Sequence, residues 1–478
     1  MRSIAANAIT LVIAIGVVIA GLALVAERRY RAPGPLAEET LFVVPRGATL
    51  DRVAEALESE GVIASAPLFR IGERYEGRAA DLRFGEYRVP AKASMAEVLD
   101  LLSSGRVVQY AVTAPEGPCL VVAGAEGTNL DLYAVPSDGS GGLEPVTRLD
   151  GNVGRFDLAG DRLAYQVSEL HQPGSLYTAP LDDPSAARLI DSTNDAVAPF
   201  ELAPPTKLTL PGHEGQTVEG FLFLPRGDAT QPHPTVIEMH GGPYYRYGNA
   251  WTTRYPWHVL AENGFAVFIA NPRGGTGYGE AFLRGNYRGF GTEDYRDLMA
   301  AVDALVERGL VDPERIGFTG YSYGGLMTNT VVSRTDRFAA AVSIAGLFNF
   351  VSAMGQNNPQ LLIDAYRRPW DDDLARLWKH SPASRAAAIS TPTLIMHGEA
   401  DQAVDPRQSI EMFTYLQLNG VPSRLVLYPE EGHGINRPSH MLDYQTRELE
   451  WFRHYLLGEA EADGAAPPAP VETAHPGA

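Results

Sequence analysis

The stretch GFTGYSYGGLM, Gly317 to Met327, sets Ser322 between glycines two residues away on either side. The apolar run RIGFTG before it reads as a strand and GGLMTNTVVSR after it as a helix, so Ser322 falls on a strand-to-helix corner. Such a corner imposes unfavourable dihedrals on its central residue, and only neighbours without a Cβ let the two arms approach; Gly320 and Gly324 supply that room. The hydroxyl then stands above the sheet edge, with the Tyr323 N–H and the helix N-terminus turned toward an anion beside it. The chemistry this implies is nucleophilic attack on a carbonyl carbon.

A serine needs a base, and a base needs an orienting carboxylate. LIMHGEADQAVDP places Asp401 in a loop after a strand, 79 residues beyond Ser322, and YPEEGHGINRP places His433 in a loop after the next strand, 32 residues further. His433 would take the Ser322 proton during attack and return it to the leaving group, while Asp401 fixes the imidazole tautomer. Glu399 and Asp405 compete with Asp401 for the acid role, and His397, at the end of an apolar strand, reads as structural. In EMHGGPYYRYG two glycines follow an apolar strand, so the N–H of Gly241 or Gly242 joins that of Tyr323 as the expected oxyanion hole. NPRGGTGYGEAF resembles a phosphate loop only superficially, because Gly275, Gly277 and Gly279 do not fit G-x-G-x-x-G. No metal and no cofactor are expected.

The elements that must position these residues begin near Thr206. VEGFLFLP, PTVIEMH, FAVFIAN, RIGFT, AAAVSIA, TLIMH and RLVLY are apolar strands separated by longer segments, among them one whose Leu298, Val302, Leu305 and Val306 form a helical face. This pattern predicts an α/β domain with a mostly parallel, doubly wound sheet and its site at the carboxyl ends of the strands. The order Ser, Asp, His is that of the α/β-hydrolases. HGGP, NPRGGTGYGEAF, GYSYGG, HGEAD and EGHG, in this order, make residues 206–457 resemble the catalytic domain of the prolyl oligopeptidase family, closest to its acylaminoacyl-peptidase and dipeptidyl-peptidase branches. The resemblance implies a serine peptidase of short peptides, screened by a β-propeller. The paired glutamates with which dipeptidyl peptidases hold a substrate amine are not identifiable here.

Upstream, residues 119–205 alternate short strands with Gly, Asp and Pro turns, and DLYAVPSDG and SLYTAPLDD are near repeats about 45 residues apart. That predicts a partial β-propeller of about two blades, where closed propellers have about 4 to 8. Residues 32–118 predict a small α+β module: Val53 and Leu57, then Val98, Leu101 and Leu102, fall at helical spacing, with Gly61 and Gly105 as C-caps. VPRGATL, GVIAS, FGEYRVP, LSSGRVV and TAPEG make residues 1 to about 118 resemble the membrane anchor and LysM-like region of the endolytic murein transglycosylase (YceG-like) family. The catalytic domain of that family is missing, so the resemblance implies location, and contact with peptidoglycan is left open, but it implies no lytic activity.

Ser3 to Ala26 carries no charge over 24 residues, more than the roughly 20 needed to cross a bilayer as a helix. We read residues 1–31 as a single-pass anchor in the inner membrane, with the catalytic domain extracytoplasmic, and the Pro- and Ala-rich tail 458–478 as disordered. A formal net charge of −19 over 478 residues argues against a nucleic-acid partner, and the lone Cys119 excludes an intramolecular disulfide. The expected partners are a peptide substrate and the membrane, and an oligomer is left open. A serine esterase with the same triad and a peptidoglycan-binding anchor with an inactive hydrolase domain are the alternative readings.

Overall fold

The computed structural model describes residues 25–37, 40–44, 50–76, 85–103, 112–113, 119–136, 142–192, 194–226, 232–356, 358–368, 370, 374–460 and 472–473. The chain divides into two compact units, Met1–Val112 and Thr113–Ala478. The apolar run from Ser3 lies outside the described residues except for its last two positions, and no described helix is long and apolar enough to cross a membrane.

The first unit is the expected α+β module. Strands Thr40–Val44 and Gly85–Val89 pair antiparallel, and helices Leu50–Ser59, Ala66–Glu76 and Met95–Ser103 share a core with them. Val53, Leu57, Val98 and Leu102 are fully buried there and Leu101 partly, as their spacing requires. Gly61 takes φ +71° just past the first helix, a C-cap conformation that a side chain disfavours. The last helix opens with a reciprocal cap: Ser94 N–H donates to Glu97 Oε2 at 2.8 Å, and Glu97 N–H to Ser94 Oγ at 3.3 Å. Gly105 lies outside the described residues.

In the second unit, strands Cys119–Glu126, Asn129–Pro136 and Glu144–Pro145 pair antiparallel in succession, and Asn152–Ala159, Arg162–Glu169, Gln172–Pro180 and Arg188–Ser192 form a four-stranded antiparallel meander. The hairpin of 119–136 recurs in that of 162–180 with an offset of 43 residues, from 119 to 162 and from 129 to 172. The two near-repeats of sequence lie on the second strand of each hairpin.

The large sheet runs Thr206–Pro211, Thr217–Phe223, Ala266–Asn271, His233–Met239, Val311–Tyr321, Ala340–Ile344, Thr393–Gly398, Ser423–Tyr428 and Glu472–Thr473. The first two strands are antiparallel to their neighbours and all the others are parallel. The strands Ala266–Asn271, Ala340–Ile344 and Thr393–Gly398 are buried throughout, because helices cover both faces. Successive side chains alternate between the two sides: Ile237, Phe268 and Phe318 pack with helices Glu293–Glu307 and Tyr323–Val332, and Val236, Val267 and Ile269 with helices Trp257–Glu262 and Pro438–Leu457. The tail departs from expectation, since Glu472 and Thr473 extend the sheet beside Val426 and Leu427.

Two carboxyls sit inside the second of these cores. Glu238 accepts from Tyr247 Oη at 2.7 Å and Trp257 Nε1 at 2.5 Å, and Glu448 from Thr319 Oγ1 at 2.6 Å. Burial pushes Glu238 up to about 8, with the Glu448 charge adding to it, and burial pushes Glu448 up to about 7. Both stand above the unfolded value of about 4.3, so their contribution to stability is complete below that value and is lost as pH rises toward 7 to 8. Glu448→Gln keeps an acceptor for Thr319 and cannot ionise. It should raise the melting temperature at pH 8 by about 2 to 8 °C and leave it nearly unchanged at about pH 4.5; an equal gain at both pH values would contradict the assignment.

Candidate active site

Val311–Tyr321 ends on the corner residue Ser322, whose φ of 61° and ψ of −113° are disfavoured for any residue with a Cβ. A hydrogen bond from its N–H to the Ile344 carbonyl at 2.8 Å holds it there. A Cβ on Gly324 would lie 2.0 Å from the Met239 carbonyl oxygen, and one on Gly320 2.5 Å from the Gly324 backbone, so both glycines are required by the crossing of strand and helix. Helix Tyr323–Val332 starts directly after Ser322.

His433 bridges the other two residues expected here. Its Nε2 lies 2.8 Å from Ser322 Oγ and its Nδ1 2.7 Å from Asp401 Oδ2. With Asp401 ionised, Nδ1 donates to the carboxylate and Nε2 accepts the serine proton, the tautomer a general base needs. Asp401 is completely buried, which alone would raise its carboxyl, but hydrogen bonds from His397 and His433 and the positive charge of His433 outweigh burial and hold it well below the usual carboxylate range. Its other oxygen accepts from the N–H groups of Ala403 at 2.8 Å and Val404 at 3.0 Å.

Neither rival acid is the hydrogen-bond partner of His433. Glu399 is exposed, and Asp405 is paired with the Arg407 guanidinium at 2.7 Å. The structural reading of His397 is half of the picture: it is buried as expected, yet its Nε2 stands 3.0 Å from Asp401 Oδ2. Sequence reasoning also passed over Tyr321. Its hydroxyl donates to the His433 carbonyl at 2.7 Å and accepts from Ile435 N–H at 3.0 Å, so one side chain of the nucleophile strand fixes the loop that carries the base. A tyrosine directly before the serine was the available signal.

The oxyanion side is assembled from two elements. Tyr323 turns its side chain under the helix, where its hydroxyl donates to the buried Asp294 and accepts from Asn286 Nδ2 at 3.2 Å, leaving its N–H at the helix start beside Ser322. Burial pushes the Asp294 carboxyl up to about 6, against the hydrogen bond from Tyr323. Across the cleft, His240 Nδ1 lies 2.7 Å from the Gly241 carbonyl, and burial pulls this imidazole down to about 4, so the neutral ring donates. In a trans peptide the N–H points opposite to the carbonyl, so anchoring Gly241 C=O to His240 turns the Gly242 N–H the other way. Gly242 lines the pocket with Ser322 and His433, which favours it over Gly241 as second donor.

The loop that carries Gly242 is held at both ends. Tyr247 exchanges backbone hydrogen bonds with the Asn271 side chain at 2.7 and 2.9 Å. Arg246, nearly buried, donates to the carbonyls of Thr128 and Asn129 at 3.0 and 3.1 Å, in the turn between the first two strands of the smaller sheet. Asn249 adds bonds to the carbonyls of Thr128 and Asp150 and accepts from Leu170 N–H. The segment mistaken most easily for a phosphate loop serves structure, since Arg273 forms a buried ion pair with Asp297 at 2.6 Å and the Gly277 carbonyl accepts from Gly127 N–H at 2.8 Å.

Beside Ser322 opens a pocket of about 150 Å³ walled by Leu347, Ala353, Leu361, Leu362 and Val404, with Gln356, Asn358 and Asp405 as polar members. None of its described lining comes from residues 119–192. A nucleophile with base and acid in line, a helix start and a glycine peptide beside it and a pocket alongside is equipped for acyl transfer.

Residues 251–459 match the prolyl oligopeptidase family, and residues 42–125 match the YceG-like family, so both resemblances read from the sequence hold. An uncharacterized peptidase, YuxL of Bacillus subtilis, is 30% identical over 366 residues, covering 74% of this chain and 54% of its own length. Dipeptidyl aminopeptidase BIII of Pseudoxanthomonas mexicana is 30% identical over 278 residues, covering 55% of this chain and 40% of its own. The solved acylaminoacyl peptidase of Pyrococcus horikoshii superposes with a TM-score of 0.67 at 23% identity, over 79% of this chain and 62% of that one, a likeness of fold. The chain spans about half the length of the curated relatives it matches.

With Asp401 held in its ionised form, one proton should govern activity on the acid side. As pH falls from 8 to 5, log kcat/KM for a p-nitrophenyl ester should drop along a single limb of unit slope, as the base takes up a proton. A limiting slope of two in that window would bring in a second group, and if Asp294→Asn kept that slope it would be Asp401, contradicting its environment.

Proposed function

We propose that this chain is a serine peptidase of short or unfolded peptides, working through Ser322, His433 and Asp401 and tethered to the inner membrane by its N-terminal apolar run, with the catalytic domain extracytoplasmic. The observation that carries the reading is His433 standing within hydrogen-bond reach of both Ser322 Oγ and Asp401 Oδ2, at 2.8 and 2.7 Å. Ser322 Oγ bonds to the scissile carbonyl carbon as its proton passes to His433 Nε2. The tetrahedral oxyanion is met by the N–H groups of Tyr323 and Gly242. Collapse breaks the C–N bond, His433 returns the proton to the leaving amine, and water then repeats the sequence to free the acyl group.

Peptide rather than ester is supported by the relatives, whose names are those of peptidases. The repeated hairpins of residues 119–192 read as two propeller blades, and the module before them as a LysM-like anchor region whose apolar run and family match support an envelope location. A full propeller would wall the pocket. Here two blades hold the Gly242 loop but line none of the pocket among the described residues, so the site is open to longer chains.

Ser322→Ala should abolish fluorophosphonate labelling and lower turnover of a peptide amide by about 10⁴ to 10⁶; a mutant of comparable activity would end the triad assignment, and wild-type turnover of esters without amides would make the protein an esterase. For the open site, a short peptide is compared with reduced casein, using monomer and oligomer separately. The monomer should cleave both, and a monomer that cuts the peptide but spares casein would show that the site is screened after all.

A further inference from the structure

We propose that His397 is a positioning residue for the reaction: its Nε2–H shares the Asp401 oxygen that faces His433 and thereby sets how tightly that carboxylate holds the imidazole. The inference rests on the triad reading above.

Asp401 is fully buried, and its two oxygens take donors of different kinds. Oδ1 takes two backbone amides, from Ala403 and Val404. Oδ2 takes two imidazoles, His433 Nδ1 at 2.7 Å and His397 Nε2 at 3.0 Å. Which ring nitrogen of His397 bears hydrogen follows from its surroundings. Its Nε2 also lies 3.0 Å from the Val404 carbonyl, which has no proton to give, so Nε2 must be the donor. Its Nδ1 faces the Ser409 hydroxyl at 2.7 Å, and a hydroxyl can donate. A neutral ring therefore satisfies both nitrogens, and its single N–H is forked between Asp401 and Val404.

A histidine needed only for packing would be served by Ser409 and Val404. The contact with Oδ2 adds something else, because two donors on one oxygen draw on the same lone-pair density. With His397 gone, Oδ2 would lose one donor and attract the imidazolium more strongly. The base would then release its proton at higher pH, and the carboxylate would be free to turn about its Cβ–Cγ bond. The other groups around this pair would stay in place: Asp405 with Arg407 on the same loop, Tyr321 and Ser322 on the nucleophile strand, Arg254 over the Tyr321 ring, and Glu431 with His440 beside the base.

The test uses the full chain, with sites counted by fluorophosphonate labelling and activity read on a p-nitrophenyl ester from pH 5 to 8.5. His397→Leu should lower kcat per labelled site by about 10- to 100-fold with KM little changed, the usual loss when a supporting group of a reactive residue is removed. The acid limb of kcat/KM should move up by about half to one pH unit. His397→Gln, whose amide can donate toward Oδ2, should recover most of the rate and return the limb. A wild-type limb in both variants, with rates that follow only the folded fraction, would reduce His397 to packing and overturn the proposal. If His397→Leu does not fold, Ser409→Ala takes its place: it leaves the ring present but untethered and should move the limb in the same direction by less, while an unmoved limb overturns the proposal equally. An unlabelled wild type would sink the triad and this inference together, whereas a labelled wild type with unmoved variants sinks the inference alone.

Discussion

Everything at this site depends on a place where two backbones come closer than side chains allow. Helix Tyr323–Val332 leaves the strand end at an angle that brings Gly324 against the Met239 carbonyl and Gly325 against that of Ile344, so the corner can exist only without a Cβ at those positions. Ser322, at the corner itself, is left at a positive φ, at a cost of about 1 to 3 kcal/mol. The surrounding parallel strands over-determine it. The same closeness that strains the serine puts its hydroxyl, the first helix amide and the Gly241–Gly242 peptide within one small volume.

The three loops that meet the serine are restrained by different physics. Asp401 is held by backbone amides of its own turn and by two imidazoles. His433 is held through its carbonyl by Tyr321, which leaves the ring itself free to exchange a proton. The Gly242 loop is held by a neutral histidine on one side and by Arg246 and Asn249 on the other. Of the charged side chains nearby, Arg407 and Asp405 neutralise each other.

The nucleophile, acid and base were legible because each sits in a loop directly after an apolar strand, and strands of a parallel sheet deliver their loops to one edge. Helical spacing found the core of the first unit for a similar reason: Val53, Leu57, Val98 and Leu102 could only face one way. What remained hidden depends on pairings between distant segments. Tyr321 and Ile435, Arg246 and Thr128, and Asn249 and Asp150 are contacts across many residues, with no local period to announce them. The choice between Gly241 and Gly242 was unreadable because it turns on which way one peptide faces, and a neighbouring histidine decides that. The tail misled in the opposite sense: a Pro- and Ala-rich composition gave no hint that Glu472 and Thr473 would extend the sheet.

The clamp between the Gly242 loop and the smaller sheet has an evolutionary consequence. Arg246 and Asn249 are addressed almost wholly to main-chain carbonyls and amides, at Thr128, Asn129, Asp150 and Leu170. The joint is written largely in main-chain atoms, with two side chains added from the smaller sheet: Leu170 packs into the hydrolase core, and Ser168 Oγ accepts from Trp251 N–H at 3.4 Å. Outside those two positions the sequences of the turns can vary without rewriting the hydrolase side of the seam. The hydrolase side of such a seam asks for the shape of the turns it meets and for those two side chains.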